Sequence, residues 1–584
     1  MNTNVKSNII RESDSFLADT YKDFLQLQKE ILSQANEIVK NGTNNNLALI
    51  KQIEEESYHV FEMINECQKY IQDGIINDKY QTDYSLEEMP INRYEVSVID
   101  TPLARDEKIY QMHTKGTVLL LGDVGKKIKD WLIARGLTPV VMPIEVKEAE
   151  MASYFADAFV GVIGIADKTW TEQERYCFVK KMFFAGKHTA NTWYKKKNKP
   201  FFVAITKLGG TFGIDSAEKD FVTGCLSGLC KSAVKEWADN VAVHYIDLKS
   251  CVEDTEIICH IEEELLYGRD VQVGYPEMSK RVTLGLKERY ESEIDYQHLP
   301  NEEDVFIVAG GAEGVTSACI LEFAKRFHSK FILIGINEMD ENYVECYEGM
   351  NREEIRQVIF NQCKERGEHI VLADADRMAG RIMSQRAMHE TMRQMEVLGC
   401  EAVYYQCDIN DKAKVCNVVQ CGERQLGKIT GIVHGAGIIS NSLLNTKTEE
   451  GFEKVFGVKY NGINNMMNAI DSNQLKYLFL YSSIAAFFGN FGQTDYSCGN
   501  EYLNNYARYF KTTHPNCKVM SLNWGPWNGG MVDRALKTAM LRRGKTLIDL
   551  EVGKMFFVDA FAKVWRGATC QLVINDVDDL GGSF

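Results

Sequence analysis

The stretch DVFIVAGGAEGVTSACILEFAKRF, residues 304–327, passes from a short apolar run through a glycine-bearing turn into a helical pattern. The run VFIVA has the length and β-branched content of a buried strand, and SACILEFAKRF has the apolar spacing of a helix. Between them Gly310, Gly311 and Gly314 let the backbone come close to a diphosphate at the helix N-terminus, where unpaired N–H groups favour an anion. A glycine turn is a weak signal alone. Its weight comes from standing first in a longer strand–helix alternation.

That alternation continues through KFILIGIN (330–337), AVYYQCDIN (402–410), ITGIVHGAG (429–437), LKYLFLYSS (475–483), KVMSLNWGPW (518–527) and CQLVINDV (570–577). Seven strands with helices between them predict a doubly wound parallel sheet beginning at about residue 298. Residues 338–398 are too long for an ordinary connection but read as helical, so an inserted helical lobe is expected. Upstream, TVLLLGD (117–123), LTPVVMPIE, AFVGVIGIAD, KPFFVAIT and VAVHYIDLK form a second α/β unit over 91–297. Its first turn is only GDVG, with no glycine-rich phosphate loop. Residues 1–90 read as two helices, with Leu17, Phe24, Ile31 and Ile38 at heptad spacing, and form either a packed hairpin or a dimer seam.

A chain of 584 residues implies two to four domains. Its net charge of −16 argues against nucleic-acid and anionic-membrane partners. Sixteen cysteines without a CxxC pair read as reduced thiols, so a cytoplasmic setting is expected. No run reaches the roughly 18 apolar residues of a membrane span, and no residues group as metal ligands.

The chemistry gathers around DYSCGNEYLNNYARYF (495–510). Tyr496 and Asn500 share one helical face, and Ser483 stands at the end of the strand LKYLFLYSS, thirteen residues before the tyrosine. Many short-chain reductases carry lysine four residues after this tyrosine. Here that position is asparagine, and the lysine available is Lys459 in FEKVFGVKYNGINNMM (452–467), flanked by apolar and small residues. Asp408 ends the third strand, where it is placed to hydrogen-bond an adenine or to cap a helix. HGAG (434–437) ends the fourth.

Lysine on the earlier helix and asparagine after the tyrosine resemble the ketoreductase domains of polyketide and polyunsaturated fatty-acid synthases. The resemblance covers about 91–584. GCLSGLCKSAVKEWADNVAVHYIDLK (224–249) is similar to the family's structural subdomain, and residues 434–462, 481–504 and NWGPWNGGMV (523–532) to its catalytic subdomain. The Val-Thr ending of GGAEGVT, the helical insertion and NWGPWNGGMV point to the polyunsaturated fatty-acid synthase branch. The implied architecture is two Rossmann-like doubly wound subdomains, one structural and one catalytic, after a helical N-terminal region. The resemblance implies a catalytic tetrad of Lys459, Ser483, Tyr496 and Asn500, reducing the 3-keto group of a carrier-bound acyl thioester. Tyr496 would give the proton, Ser483 would hydrogen-bond the alkoxide, Lys459 would lower the phenol pKa, and Asn500 would hold the lysine or a water. The implied cofactor is NADPH, with NADH as the alternative. It would be lined by Gly310, Gly311, Glu313, Gly314, Val315, Ile336, Asn337, Asp408, Ile409, His434, Gly435, Ala436, Gly437, Pro526 and Trp527. An acyl carrier protein and other synthase domains are the implied partners, with a homodimer through the N-terminal helices as a further expectation.

Three departures matter. Ala309 replaces a threonine that braces the glycine loop. Glu313 and Ile336 stand where relatives often carry arginines that grip a 2′-phosphate, so a basic group from the insertion (Arg377, Arg381 or Arg386) would have to replace them. ISN (439–441) and Phe488 match neither stereochemical fingerprint of the family, and the nearer branch implies the 3R alcohol. A non-catalytic scaffold of the same fold is the alternative function. A sugar-epimerase-like reductase would require Tyr-x-x-x-Lys and leaves residues 91–297 unexplained.

Overall fold

The computed structural model describes residues 91–576, apart from 146–149, 152–153, 155–158, 194–198, 215–218, 290–292, 344, 530–536, 539, 542–544 and 566–569. The two N-terminal helices expected over 1–90 therefore lie outside the described residues. The upstream half comprises β1 (Asn92–Asp100), β2 (Gly116–Gly122), α1 (Lys126–Ala134), β3 (Leu137–Met142), β4 (Phe159–Ile165), α2 (Glu172–Trp193), β5 (Phe201–Thr206), α3 (Leu226–Trp237), β6 (Ala242–Leu248), α4 (Asp254–Tyr267), β7 (Gln272–Glu277) and β8 (Lys280–Glu288). The downstream half begins with β9 (Val305–Ala309), α5 (Gly314–Phe327), β10 (Lys330–Gly335), α6 (Arg352–Glu365), α7 (Leu372–Val397) and β11 (Ala402–Gln406). It continues with α8 (Lys412–Leu426), β12 (Ile429–His434), α9 (Glu449–Ala469), β13 (Tyr477–Ser483), α10 (Ile484–Phe488), α11 (Thr494–Thr513), β14 (Lys518–Trp524), α12 (Leu550–Ala562) and β15 (Gln571–Asn575).

All these strands belong to one 15-stranded sheet, in the order β11-β10-β9-β12-β13-β14-β15-β1-β8-β7-β6-β5-β4-β2-β3. The downstream seven run parallel, and their order reverses at β9, which lies between β10 and β12. The upstream half reverses in the same way at β2, between β3 and β4. Strand β1 joins the halves by pairing antiparallel with β15 on one side and β8 on the other. Each half thereby covers an edge that would otherwise expose unpaired N–H and C=O groups.

The apolar strand runs follow from helices on both faces: every residue of FVGVIGI in β4 and of VFIVA in β9 is buried. One face carries a core continuous across both halves, from Phe183 and Trp237 to Phe452 and Tyr502. The opposite face has separate cores for the downstream and upstream halves. Residues 338–398 contain the antiparallel pair α6–α7, which buries Ile355, Ile359 and Ala379 in a small core of its own. The Asn351 capping box starts α6.

The upstream turn after β2 is crowded by a carboxylate. A Cβ at Gly125, which begins α1, would lie 1.9 Å from a carboxylate oxygen of Asp254. An acid therefore sits where an anion would have to bind.

Candidate active site

In a doubly wound sheet the crevice beyond the carboxyl ends of the strands, at the reversal point, takes the ligand. Here that place lies beyond β9 and β12. Gly310 (φ +75°) turns the chain out of β9, and a Cβ there would press to 3.0 Å of the Ala436 nitrogen. Gly314 (φ +71°) starts α5 with open space beside it. No side chain caps α5, because Glu313 at its N-cap position makes no cap hydrogen bond. The glycine turn and the uncapped N–H groups fit a dinucleotide diphosphate. The inserted lobe reaches the glycine turn through two side chains. Thr391 on α7 donates to the Ala312 carbonyl at 2.9 Å, and Ser384 donates to Glu313 Oε2 at 2.7 Å.

Ile336 and Asn337 follow β10 and are exposed; Asn337 Nδ2 donates to Glu313 Oε1 at 3.1 Å. Val315, half-buried, lies in the first turn of α5, and Gly311 is buried beneath the loop. Asp408 Oδ1 accepts from the Asn410 backbone N–H at 2.9 Å, and the cap of α8 is Asp411 instead. Ile409 is buried, and its carbonyl accepts from Asn465. Gly435, Ala436 and Gly437 continue β12 beside the glycine turn, with the Gly435 N–H donating to the Ala309 carbonyl.

Two side chains point elsewhere than the cofactor-lining set implied. His434 is buried in the core with Nε2 3.1 Å from the Val458 carbonyl, and burial pushes its pKa down to about 3. Trp527 is buried against Trp524 and under α12, where a Cβ on Gly553 would strike its ring. Pro526 is half-buried and its carbonyl accepts from Ile548.

Ser483 ends β13 and caps α10, its Oγ accepting from the Ala485 N–H at 3.2 Å. Tyr496 stands in the first turn of α11. Burial raises its phenol pKa, and hydrogen bonding by Ser483 and by Asn500 lowers it. Asn500 donates through Nδ2 to the Tyr496 carbonyl at 2.9 Å, while its buried Oδ1 has no partner among the described residues. Lys459 reaches from α9 past Gly499 of α11, whose Cβ would lie 3.4 Å from the lysine Cγ. Its Nζ donates to the Tyr481 carbonyl at 2.7 Å. Ser483, Tyr496, Asn500 and Lys459 thus come together at the junction of β13, α9 and α11. The expected depression of the phenol by the lysine charge is not what this arrangement produces. The amine is turned onto the strand carbonyl, and burial lowers its own pKa to about 7.

Sequence reasoning missed the supports around this cluster. Lys447 and Asp495 form a buried ion pair at 2.8 Å, and Asp495 Oδ1 also accepts from the Tyr496 N–H. The upstream half reaches in through α3: Ser232 donates to Ser497 Oγ at 2.7 Å, and Glu236 accepts from the N–H groups of Leu444 and Gly492. A Cβ at Gly228 would lie 2.4 Å from the Ser497 carbonyl oxygen, so α3 seats directly on α11. The glycine of SGLCKS, Gly228, is the one available signal, as a place of close helix approach.

A parallel sheet with a glycine turn at its reversal point and a Ser–Tyr–Lys–Asn cluster beside it is an arrangement that could hold a dinucleotide next to a proton donor. Residues 305–529 match the KR domain family model. Over 387 residues it is 29% identical to a component of the polyunsaturated fatty acid synthase of Thraustochytrium sp., covering 64% of this chain and 14% of that protein. It is 29% identical over 194 residues to polyketide synthase PksM of Bacillus subtilis, covering 32% of this chain and 4% of that one. The chain thus spans only a small part of these relatives. Among solved structures, an N-terminal ketoreductase from the macrolactin assembly line shares the fold with a TM-score of 0.61 at 17% identity, over 90% of this chain and 99% of that one. Among the described residues, no helix is long and apolar enough to cross a membrane.

Proposed function

We propose that this chain reduces the 3-keto group of an acyl thioester carried by an acyl carrier protein, giving a 3-hydroxyacyl thioester, with NADPH as the reductant. The observation that carries the reading is the convergence of Ser483 and Asn500 on the Tyr496 phenol, beside the glycine turn of a KR domain. When bound, the dinucleotide supplies a hydride to the carbonyl carbon. Tyr496 Oη gives its proton to the carbonyl oxygen, and Ser483 Oγ hydrogen-bonds the charge developing there. The phenolate recovers its proton along the face that holds Asn500 Oδ1, an acceptor free to bind a relay water, and the Lys459 amine. Lys459, with a pKa lowered to about 7, can both give and take a proton near neutrality.

In this reading residues 298–584 are the catalytic unit, with the insertion 338–398, and residues 91–297 are a structural unit without cofactor. The crowding of Gly125 by Asp254 supports the second assignment. Residues 1–90 serve docking or dimerisation. The direct test supplies NADPH and the N-acetylcysteamine thioester of 3-oxobutanoate and identifies the product by mass spectrometry. The 3-hydroxybutanoyl thioester is expected. Cofactor binding without any turnover, also with a carrier-bound substrate, would favour the scaffold instead.

A further inference from the structure

At the carboxyl end of β10, beside Glu313, lies a cavity of about 750 Å³. In a doubly wound sheet this end of the second strand holds the adenosine ribose, whose 2′ position distinguishes the phosphorylated dinucleotide from the plain one. The wall includes Asn337, Gln406 and, from the inserted helix α7, Arg381 and Ser384. The side chain at the strand end itself, Ile336, is exposed and offers no charge.

Charge pairing singles out Arg381. Helices α6 and α7 carry six arginines: Arg352, Arg356, Arg377, Arg381, Arg386 and Arg393. Arg352 and Arg356 pair with Asp376, Arg377 with Asp374, Arg386 with Glu345 and Arg393 with Glu390. Arg381 alone has no ion pair among the described residues, although Glu338, Asp340 and Glu341 share its cavity. Three residues along α7, Ser384 holds both Glu313 and Asn337, which fixes this face of the helix against the glycine turn. Glu313, otherwise a repulsive charge, is thereby engaged by two donors.

We propose that Arg381 of the inserted helix binds the 2′-phosphate of NADPH and is the residue that sets the choice between NADPH and NADH. The inference rests on the dinucleotide reading given above. A 2′-phosphate carries close to two negative charges, and guanidinium is the side chain that meets such a group with paired donors. Without Arg381 the cavity keeps Glu338, Asp340 and Glu341 and has no cation, which favours a free 2′-hydroxyl. One residue on an insertion therefore replaces a clamp at the strand end.

The test is calorimetric titration of the full chain with NADPH, NADH and the fragment 2′,5′-ADP, for wild type, Arg381→Gln and Arg381→Lys. Arg381 is exposed, so neither substitution disturbs the core. Wild type is expected to prefer NADPH, and Arg381→Gln to weaken NADPH and 2′,5′-ADP by about tenfold or more, as for loss of a charged hydrogen bond. NADH affinity should hold or rise, and Arg381→Lys should fall between. Equal weakening of NADPH and NADH, or no change in either, would overturn the role of Arg381 while leaving the dinucleotide site standing. If wild type bound neither dinucleotide, the reading beneath it would fall as well.

Discussion

Lys459 Nζ donates to the carbonyl oxygen of Tyr481 at 2.7 Å, inside the protein, and among the described residues no carboxylate pairs with it. Burial lowers its pKa from 10.5 to about 7. The unfolded chain keeps this proton up to about pH 10.5 and the folded chain only to about pH 7, so between these values the lysine's contribution to stability rises with pH. At pH 7 and below its full penalty is present. Lys459→Met should therefore melt at a higher temperature than wild type at pH 6.5, with the gap closing towards pH 10, while reductase turnover falls. Thermal melts at three pH values check this, and a variant less stable than wild type at pH 6.5 would refute it.

Lys447 and Asp495 are almost fully buried and 2.8 Å apart, directly before the catalytic tyrosine candidate. Removing one partner leaves the other charge stranded, which typically costs about 3–5 kcal/mol. Lys447→Met should lose stability on that scale in a urea titration, and adding Asp495→Asn should recover a substantial part. Independent, additive losses would show that the two charges do not act as a pair.

The upstream half should be inseparable from the downstream one and bind no cofactor itself. Phe452 and Tyr502 belong to the core that also contains Phe183 and Trp237, so residues 298–584 alone would expose that face. Expressed alone, this fragment should lack the near-ultraviolet dichroism and sharp melting of the intact chain. Titration of the intact chain should saturate at one dinucleotide per chain. Two equivalents would place a site at the crowded Gly125 turn.

Much of this architecture is legible in the chain because parallel strands buried on both faces are written as unbroken apolar runs. VFIVA, KFILIG and YLFLYSS are such runs, and each is a strand. Strands β1, β7 and β8 escape that reading. NRYEVSVID and KRVTLGLKE mix charges into antiparallel joining strands, and QVGYPE contains a proline. Their charges find partners only in three dimensions, as Arg93 does with Asp559 and Arg289 with Glu95. At the site, the spacing of Tyr496 and Asn500 is legible because one helix carries both. The direction of the Lys459 amine, the burial of His434 and the Lys447–Asp495 pair depend on packing between distant elements, which no local pattern records. Of the three lobe arginines that could replace the missing clamp, Arg377 and Arg386 are held by Asp374 and Glu345, and only geometry separates Arg381 from them.

The central claim is that Tyr496 is the proton donor of a working reductase. The most direct measurement is kcat for NADPH oxidation with a 3-oxoacyl thioester, in wild type and Tyr496→Phe, with NADPH affinity measured alongside. Loss of a general acid predicts a fall of about 10²-fold or more in kcat, with affinity for NADPH within about twofold of wild type. Turnover by Tyr496→Phe close to that of wild type would contradict the account.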